Sequence, residues 1–296
     1  MHIPEQMLTG TTCPVTALLG AAVISGACIV VSRKKSEHSM FEFAAVSSLI
    51  FAGQMLNFPI LNGVSGHLLG GVLAAALLGT PLGILAIALV VTVQSILFAD
   101  GGMSVLGANL LNMAVIGAGV GGLALYQFKK YFNQYLAIVL AGFLSVTLAA
   151  LAVSIELAFA GTVPLADSLP SILGVHLLIG VAEGVFSVAI YALVINSSQL
   201  AKLEQRTGIK VAALTVVALL VTPLASQHPD GLEYIAQNLN FLPETAIVPL
   251  FSLMPDYCIP MFGQGAFSTL LAGLIGAIIV AFAALTTAKF LRVVKR

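Results

Sequence analysis

The sequence predicts an all-α polytopic membrane protein of about nine transmembrane helices, with its N-terminus outside and its C-terminus in the cytoplasm. Three observations predict it. Hydrophobic residues make up 59 % of the 296 and charged residues 8 %, against about 45–50 % and about 25 % in soluble domains. Apolar runs recur along the whole chain, each near the ~20 residues that cross ~30 Å of hydrocarbon as a helix. Once nine spans are threaded, all twelve Lys and Arg residues fall on one side.

The first run, residues 15–32, is followed by Arg33, Lys34 and Lys35. Runs at 41–57, 67–79, 82–98 and 105–126 come next, and Lys129 and Lys130 follow the fifth. Runs at 136–159 and 170–195 lead into a hydrophilic stretch, Asn196 to Lys210, that carries Lys202 and Arg206. The last two, 210–225 and 266–289, are closed by Lys289, Arg292, Lys295 and Arg296. Cytoplasmic loops collect Lys and Arg, so this side is the cytoplasm, and the expected location is a prokaryotic inner membrane. One missed span would scatter the charges over both sides. The acidic residues lean the other way: Glu5, Asp100, Glu156, Asp167, Asp230, Glu233, Glu244 and Asp256 sit in or beside outer segments. An outer face of that kind modestly concentrates cations, although exclusion of positive charge alone would leave the same pattern.

The polar stretch Met1 to Pro14 lacks a basic start, so no cleavable signal peptide is expected. Cys13, Cys28 and Cys258 have no metal-like spacing and read as packing residues. The hydrophilic stretch from Asn196 divides the chain into a seven-helix core, residues 1–200, and a two-helix module, residues 201–296, whose helices flank a long outer loop of about Ser226 to Gly265.

The chain starts Met1-His2-Ile3-Pro4-Glu5. An unblocked start of this kind offers three nitrogens within one short stretch: the α-amine of Met1, the amide of His2 and its imidazole. With the amide deprotonated they close a five- and a six-membered chelate ring. Three nearly coplanar nitrogens suit Ni(II) or Cu(II) before Zn(II). Taken alone, Met-His is also a plausible chance dipeptide. On the same outer side, Asn62-Gly63-Val64-Ser65-Gly66 forms a turn and His67 opens the third run, placed either to supply a fourth nitrogen or to cap the turn. That run is short and bracketed by Gly70-Gly71 and Gly79-Thr80-Pro81, a pattern that marks binding sites in transporters.

Further polar residues inside the spans are candidates for support. Gln94 lies in the fourth span. Asn109 and Asn112, three apart, share one face of the fifth, as ligand support or as packing glue between helices. In the seventh span His176 and Glu183 are nearly two turns apart, about 10 Å along the axis. Glu183 is the deepest ionisable group, and a carboxylate at such depth is a functional candidate by default, with a paired structural role as the alternative.

These residues resemble a known family. MHIPE at the start, NGVSGHLLGG at 62–71, VQSILFADGGMSVLGANLLNMAVIG at 93–117 and GVHLLIGVAEG at 174–184 are similar to the substrate-binding membrane component of energy-coupling-factor transporters for nickel and cobalt, the NikM/CbiM type. PDGLE at 229–233, with PDY at 255–257, resembles the accessory two-span NikN-type component, so the whole chain looks like a fusion of the two. The resemblance implies metal ligation by Met1, His2 and His67, with Gln94, Asn109, Asn112, His176 and Glu183 as surrounding support. The family has Gly after MHIPE or MHIPD where this chain has Gln6, which bears on how the first residues bend.

No GxxxxGK[ST] phosphate loop occurs, so the resemblance implies ATPase subunits and a transmembrane coupling component as separate partners, with no cofactor beyond the transported Ni²⁺ or Co²⁺ and no nucleic acid. The rival is a proton-coupled secondary carrier with Glu183 and His176 as its relay. A membrane metalloenzyme is disfavoured by the absence of an HExxH helix or a clustered acid pair.

Overall fold

The computed structural model describes residues 1–5, 7–33, 38–196, 206–242 and 252–291. Gln6, Lys34, Lys35, Lys202, Glu244, Arg292, Lys295 and Arg296 lie outside the described residues. The elements run α1 (Thr12–Arg33), α2 (Met40–Gln54), β1 (Phe58–Leu61), β2 (Val64–Gly66), α3 (Gly71–Leu78) and α4 (Thr80–Val93). Then come α5 (Leu106–Asn109), α6 (Gly121–Phe128), α7 (Gln134–Phe159), α8 (Leu165–Asn196), α9 (Arg206–Val221), α10 (Gly231–Asn238) and α11 (Ala266–Phe290). π-Helical turns extend α4 over Gln94–Phe98 and join α5 to α6 over Leu110–Val120.

Seven helices among the described residues are long and apolar enough to cross a membrane: Thr12–Arg33, Thr80–Phe98, Leu106–Phe128, Gln134–Phe159, Leu165–Ile195, Thr207–Leu224 and Ala266–Phe290. They account for seven of the nine expected runs. The other two are shorter. The run at 41–57 forms the 15-residue α2. The run at 67–79 forms the eight-residue α3, about 12 Å long at ~1.5 Å per residue.

The two short helices are the most enclosed. Ser39 and Glu42 close a capping box on α2, and α2 is buried from Phe43 to Gln54 between α4 on one side and α9 and α11 on the other. Ser48 Oγ donates to Ala277 O across the α2–α11 contact (3.0 Å). α3 packs against α4, α7 and the Leu110–Val120 turns. Gly71 rests directly on the backbone of Gly117 and Ala118, where no Cβ has room. α1 is peripheral: it buries a stripe of Thr16, Gly20, Ala27 and Val31, while Leu18, Leu19 and Ile29 are exposed.

The sequence reading placed a simple turn at 62–66. The structure instead has a β1–β2 hairpin with Phe58 opposite Gly66 and Leu61 opposite Val64. Asn62-Gly63 makes its tight connection, with Gly63 at φ +79°, as Asn-Gly pairs do between short strands. The seventh run starts earlier than expected, at Leu165, and Pro170 lies inside α8. The segment between α9 and α11 contains a helix not expected from the sequence, α10, capped by Asp230.

Candidate metal centre

The first residues are built into the end of the bundle. Met1, His2 and Ile3 are buried, and burial requires their backbone groups to find partners. Asn109 meets both groups of Ile3: Oδ1 accepts from Ile3 N (2.7 Å) and Nδ2 donates to Ile3 O (3.1 Å). Gly102 N also donates to Ile3 O (3.4 Å), and Glu5 Oε1 accepts from Ser104 N (3.1 Å). Thr162 Oγ1 donates to Met7 O (2.5 Å).

The Met1 amine lies between His67 Nε2 (2.9 Å) and Asp230 Oδ2 (2.5 Å). His67 Nδ1 faces the carbonyl of Leu68 at 3.0 Å. That acceptor places the ring proton on Nδ1 and aims the Nε2 lone pair at the amine. Asp230 reaches this point because Ser65 of β2 holds the preceding residue: Ser65 N donates to Pro229 O (2.9 Å). Its Oδ1 meanwhile accepts from Leu232 N and Glu233 N at the start of α10, both at 2.9 Å. Burial alone would raise the Asp230 carboxyl, but the Met1 ammonium, helped by the Glu233 N–H, outweighs it and holds the group below the usual carboxylate range.

The His2 ring belongs to a closed cycle of four polar contacts, in which a neutral ring donates through one nitrogen at a time. His2 Nε2 meets Gln94 Oε1 (3.2 Å). Gln94 Nε2 donates to the Tyr257 oxygen (3.0 Å), and the Tyr257 hydroxyl donates to Asp100 Oδ2 (2.5 Å). Asp100 Oδ1 returns to His2 Nδ1 (3.1 Å). Burial lowers the His2 pKa, against the opposing pull of Asp100, so a neutral ring is favoured. Burial and Asp100 together raise the Tyr257 hydroxyl well above its ordinary value. The His2 and His67 rings are nearly parallel, with centroids 5.5 Å apart. An open cavity of about 640 Å³ leads to this end, lined among others by His2, His67, Asp100, Asp230, Glu233 and Asp256.

The structure therefore brings Met1, His2, His67, Gln94 and Asn109 together. Asn112 is elsewhere. Its Nδ2 donates to Glu156 Oε2 (2.7 Å), because the wider π turns that begin after Asn109 rotate the two amides off the common face expected of an α-helix. Glu183 touches none of the nitrogens. It accepts from Leu69 N (2.6 Å) and Gly70 N (2.9 Å), and so fixes the backbone just after His67. His176 bonds back to Ile172 O through Nδ1 (2.8 Å), and its Nε2 has no hydrogen-bond partner among the described residues. Sequence reasoning missed Asp100, Asp230 and Tyr257 as contacts of the site. Their segments were visible, but no local pattern tied them to residues 1 and 2. Among the described residues, no three His, Cys, Asp or Glu side chains form a metal-holding group. The Met1 amine meets His67 Nε2 directly, and the His2 ring lies alongside His67 with its Nδ1 on Asp100.

A family model for the cobalt uptake substrate-specific transmembrane region, CbiM, matches residues 2–200. The chain belongs to the CbiM family. A second model, the PDGLE domain, matches residues 206–293 of this CbiM-family chain. It is 35 % identical over 290 residues to the "Putative fused nickel transport protein NikMN" of Archaeoglobus fulgidus, covering 95 % of each chain. It is 30 % identical over 225 residues to the cobalt transport protein CbiM of Propionibacterium freudenreichii, covering 72 % of this chain and 96 % of that one. A crystal structure of a truncated transition metal transporter superposes with a TM-score of 0.60 at 29 % identity, over 67 % of this chain and 99 % of that one. The CbiM-family chain is thus a multi-pass membrane protein of the nickel and cobalt transport families rather than an enzyme. His67 lies in its CbiM match, and Asp230 and Tyr257 lie in its PDGLE match.

Proposed function

We propose that this chain is the substrate-specificity component of an energy-coupling-factor importer, and that it captures Ni²⁺ or Co²⁺ at the outer face of the inner membrane. The cargo ligands are the Met1 amine, the His2 amide and imidazole, and His67 Nε2. One observation carries the reading: the buried 2.9 Å approach of the Met1 amine to the lone pair of His67. Two nitrogens bonded at right angles to one divalent ion at roughly 2.0–2.1 Å lie roughly 2.9 Å apart. Gln94 and Asn109 orient the ligands, and Glu183 orients the backbone beside His67.

A planar nitrogen field favours nickel over cobalt by the usual geometric preferences. Capture releases protons from the amine and the amide, so affinity falls in acid. ATPase subunits and a transmembrane coupling component supply the energy. The chain divides at about residue 200 into a binding core and a two-helix module. Its nine apolar runs, α2 and α3 included, cross or enter the bilayer with residue 1 outside and residue 296 inside. The carrier alternative draws less support, since both Glu183 oxygens are engaged by backbone N–H groups and no bond links Glu183 to His176.

The test is to add one residue before Met1, or to acetylate its amine, and to titrate the purified full chain with Ni²⁺ and Co²⁺. Binding is expected to disappear. Binding that survives either change removes the amine from the site and defeats the reading.

A further inference from the structure

The chelate proposed above needs His2 Nδ1, because only the near ring nitrogen closes a six-membered ring with the His2 amide. In the structure that nitrogen is covered. Asp100 Oδ1 lies 3.1 Å from it, and the other Asp100 oxygen is held by the Tyr257 hydroxyl at 2.5 Å. Tyr257 is itself anchored on three sides. Its oxygen accepts from Gln94 Nε2. Its ring stacks on Phe98 with centroids 4.7 Å apart at 20° and meets Phe51 at 6.1 Å. The backbone that presents it is in the left-handed region at both Asp256 (φ +51°) and Tyr257 (φ +56°). Consecutive non-glycine residues there store strain that surrounding contacts must hold, and Met254 N fastens the loop to Leu97 O (2.9 Å).

Resting on the nitrogen-ligand reading, we propose that Tyr257 is a latch: through Asp100 it keeps the near nitrogen of His2 closed, and cargo loading releases it. Tyr257 is a positioning residue, since it touches neither the cargo nor its ligands and acts only through Asp100 and Gln94. A metal ion on Nδ1 excludes the Asp100 oxygen from its present place. Gln94 keeps its place: with Nδ1 on the metal, the His2 proton sits on Nε2 and is donated to Gln94 Oε1, the arrangement that orients a metal-bound imidazole. Asp100 is therefore the member of the cycle that has to move, and the Tyr257 hydroxyl is what resists its moving. A ligand shifts such an equilibrium only by its difference in affinity for the two states, so weakening the closed state tightens binding.

Two measurements test this on the full chain with Met1 unmodified. Tyr257→Phe keeps the stacked ring and removes the hydroxyl. It is expected to bind Ni²⁺ roughly 10- to 150-fold more tightly, the size of one charge-assisted hydrogen bond released, with the visible ligand-field band of the bound Ni²⁺ unchanged. The gain is expected to vanish in an Asp100→Ala background. Unchanged or weaker binding, a shifted band, or a gain that persists without Asp100 overturns the latch. In the unsubstituted protein, amide exchange across residues 252–263 is expected to speed up on Ni²⁺ loading, and unchanged or slower exchange overturns it equally. A protein extended before Met1 that still binds Ni²⁺ defeats the ligand reading itself. An extended protein that no longer binds, beside a Tyr257→Phe protein with unchanged affinity, defeats only the latch.

Discussion

Asn109 meets both the N–H and the carbonyl of Ile3, so one side chain sets the register of the segment that carries the proposed ligands. Asn109→Ala leaves two buried backbone groups without that partner. Supporting residues of this kind change metal affinity about 10–100-fold, and calorimetric titration with Ni²⁺ is expected to show a loss in that range. Asn112→Ala, whose amide serves Glu156 instead, is expected to leave the affinity within about threefold. An equal loss in both variants would place Asn112 in the site after all. At this scale the chelating pattern of Met1 and His2 stood in neighbouring residues, whereas nothing local tied Asn109 to Ile3, 106 positions away. Asp230 and Tyr257 were not legible either. They reach the site from 229 positions beyond Met1 and 163 beyond Gln94, and no local pattern encodes such distances. The pairing of Asn109 with Asn112 was misread for a different reason: spacing of three means one face only if the turns are α-helical.

α3 shows how an element carries the site. Its eight residues sit too close to a neighbouring backbone for any side chain at Gly71, and the extended residues just before it present His67 inward. Glu183 fastens that stretch through Leu69 N and Gly70 N. Gly71→Ala forces α3 away from Gly117 and Ala118, and overpacking of this kind costs about 1–3 kcal/mol. A lower unfolding temperature in detergent, together with weaker Ni²⁺ binding, is the expected outcome. Gly26→Ala is the contrast. It lies within α1 with nothing within 4 Å of the new methyl, and the gain in helix propensity is about 0.5–1 kcal/mol. The long helices were legible from apolar run length alone. The 67–79 run was not, because a continuous apolar stretch reads the same whether it is extended or helical. The Glu183 cap and the Gly70 conformation at φ +76° decide that only residues 71–78 coil.

The whole molecule brings its first residues and the Asp230 and Tyr257 segments to one cavity, and two predictions belong to that scale. In a Cys13→Ser, Cys28→Ser background, Cys258 is the sole thiol, and a membrane-impermeant maleimide is expected to label it on intact cells; labelling only after lysis would reverse the proposed orientation. The Asp230 contact has its own pH signature. Its carboxyl is held below the ordinary value of about 3.9, so its stabilisation is complete at neutral pH and fades as pH falls past that value toward the lower folded one. Asp230→Ala also removes the α10 cap, worth about 1 kcal/mol. The unfolding-temperature gap between the two proteins is expected to stay level from pH 7 to pH 5 and to narrow below about pH 4. Composition made the membrane class legible; which loops meet over the N-terminus was settled only by the packing of β2, α10 and the Tyr257 turn. Residue 1 is roofed by residue 230, and this orders events during synthesis. The Met1 nitrogen lies between His67 and Asp230, so it is closed in only after the part of the chain that carries Asp230 has been made and packed. With translation at about 5–20 residues per second, some 229 further residues take roughly 10–50 s, and any group left on that nitrogen afterwards would have to fit between His67 and Asp230.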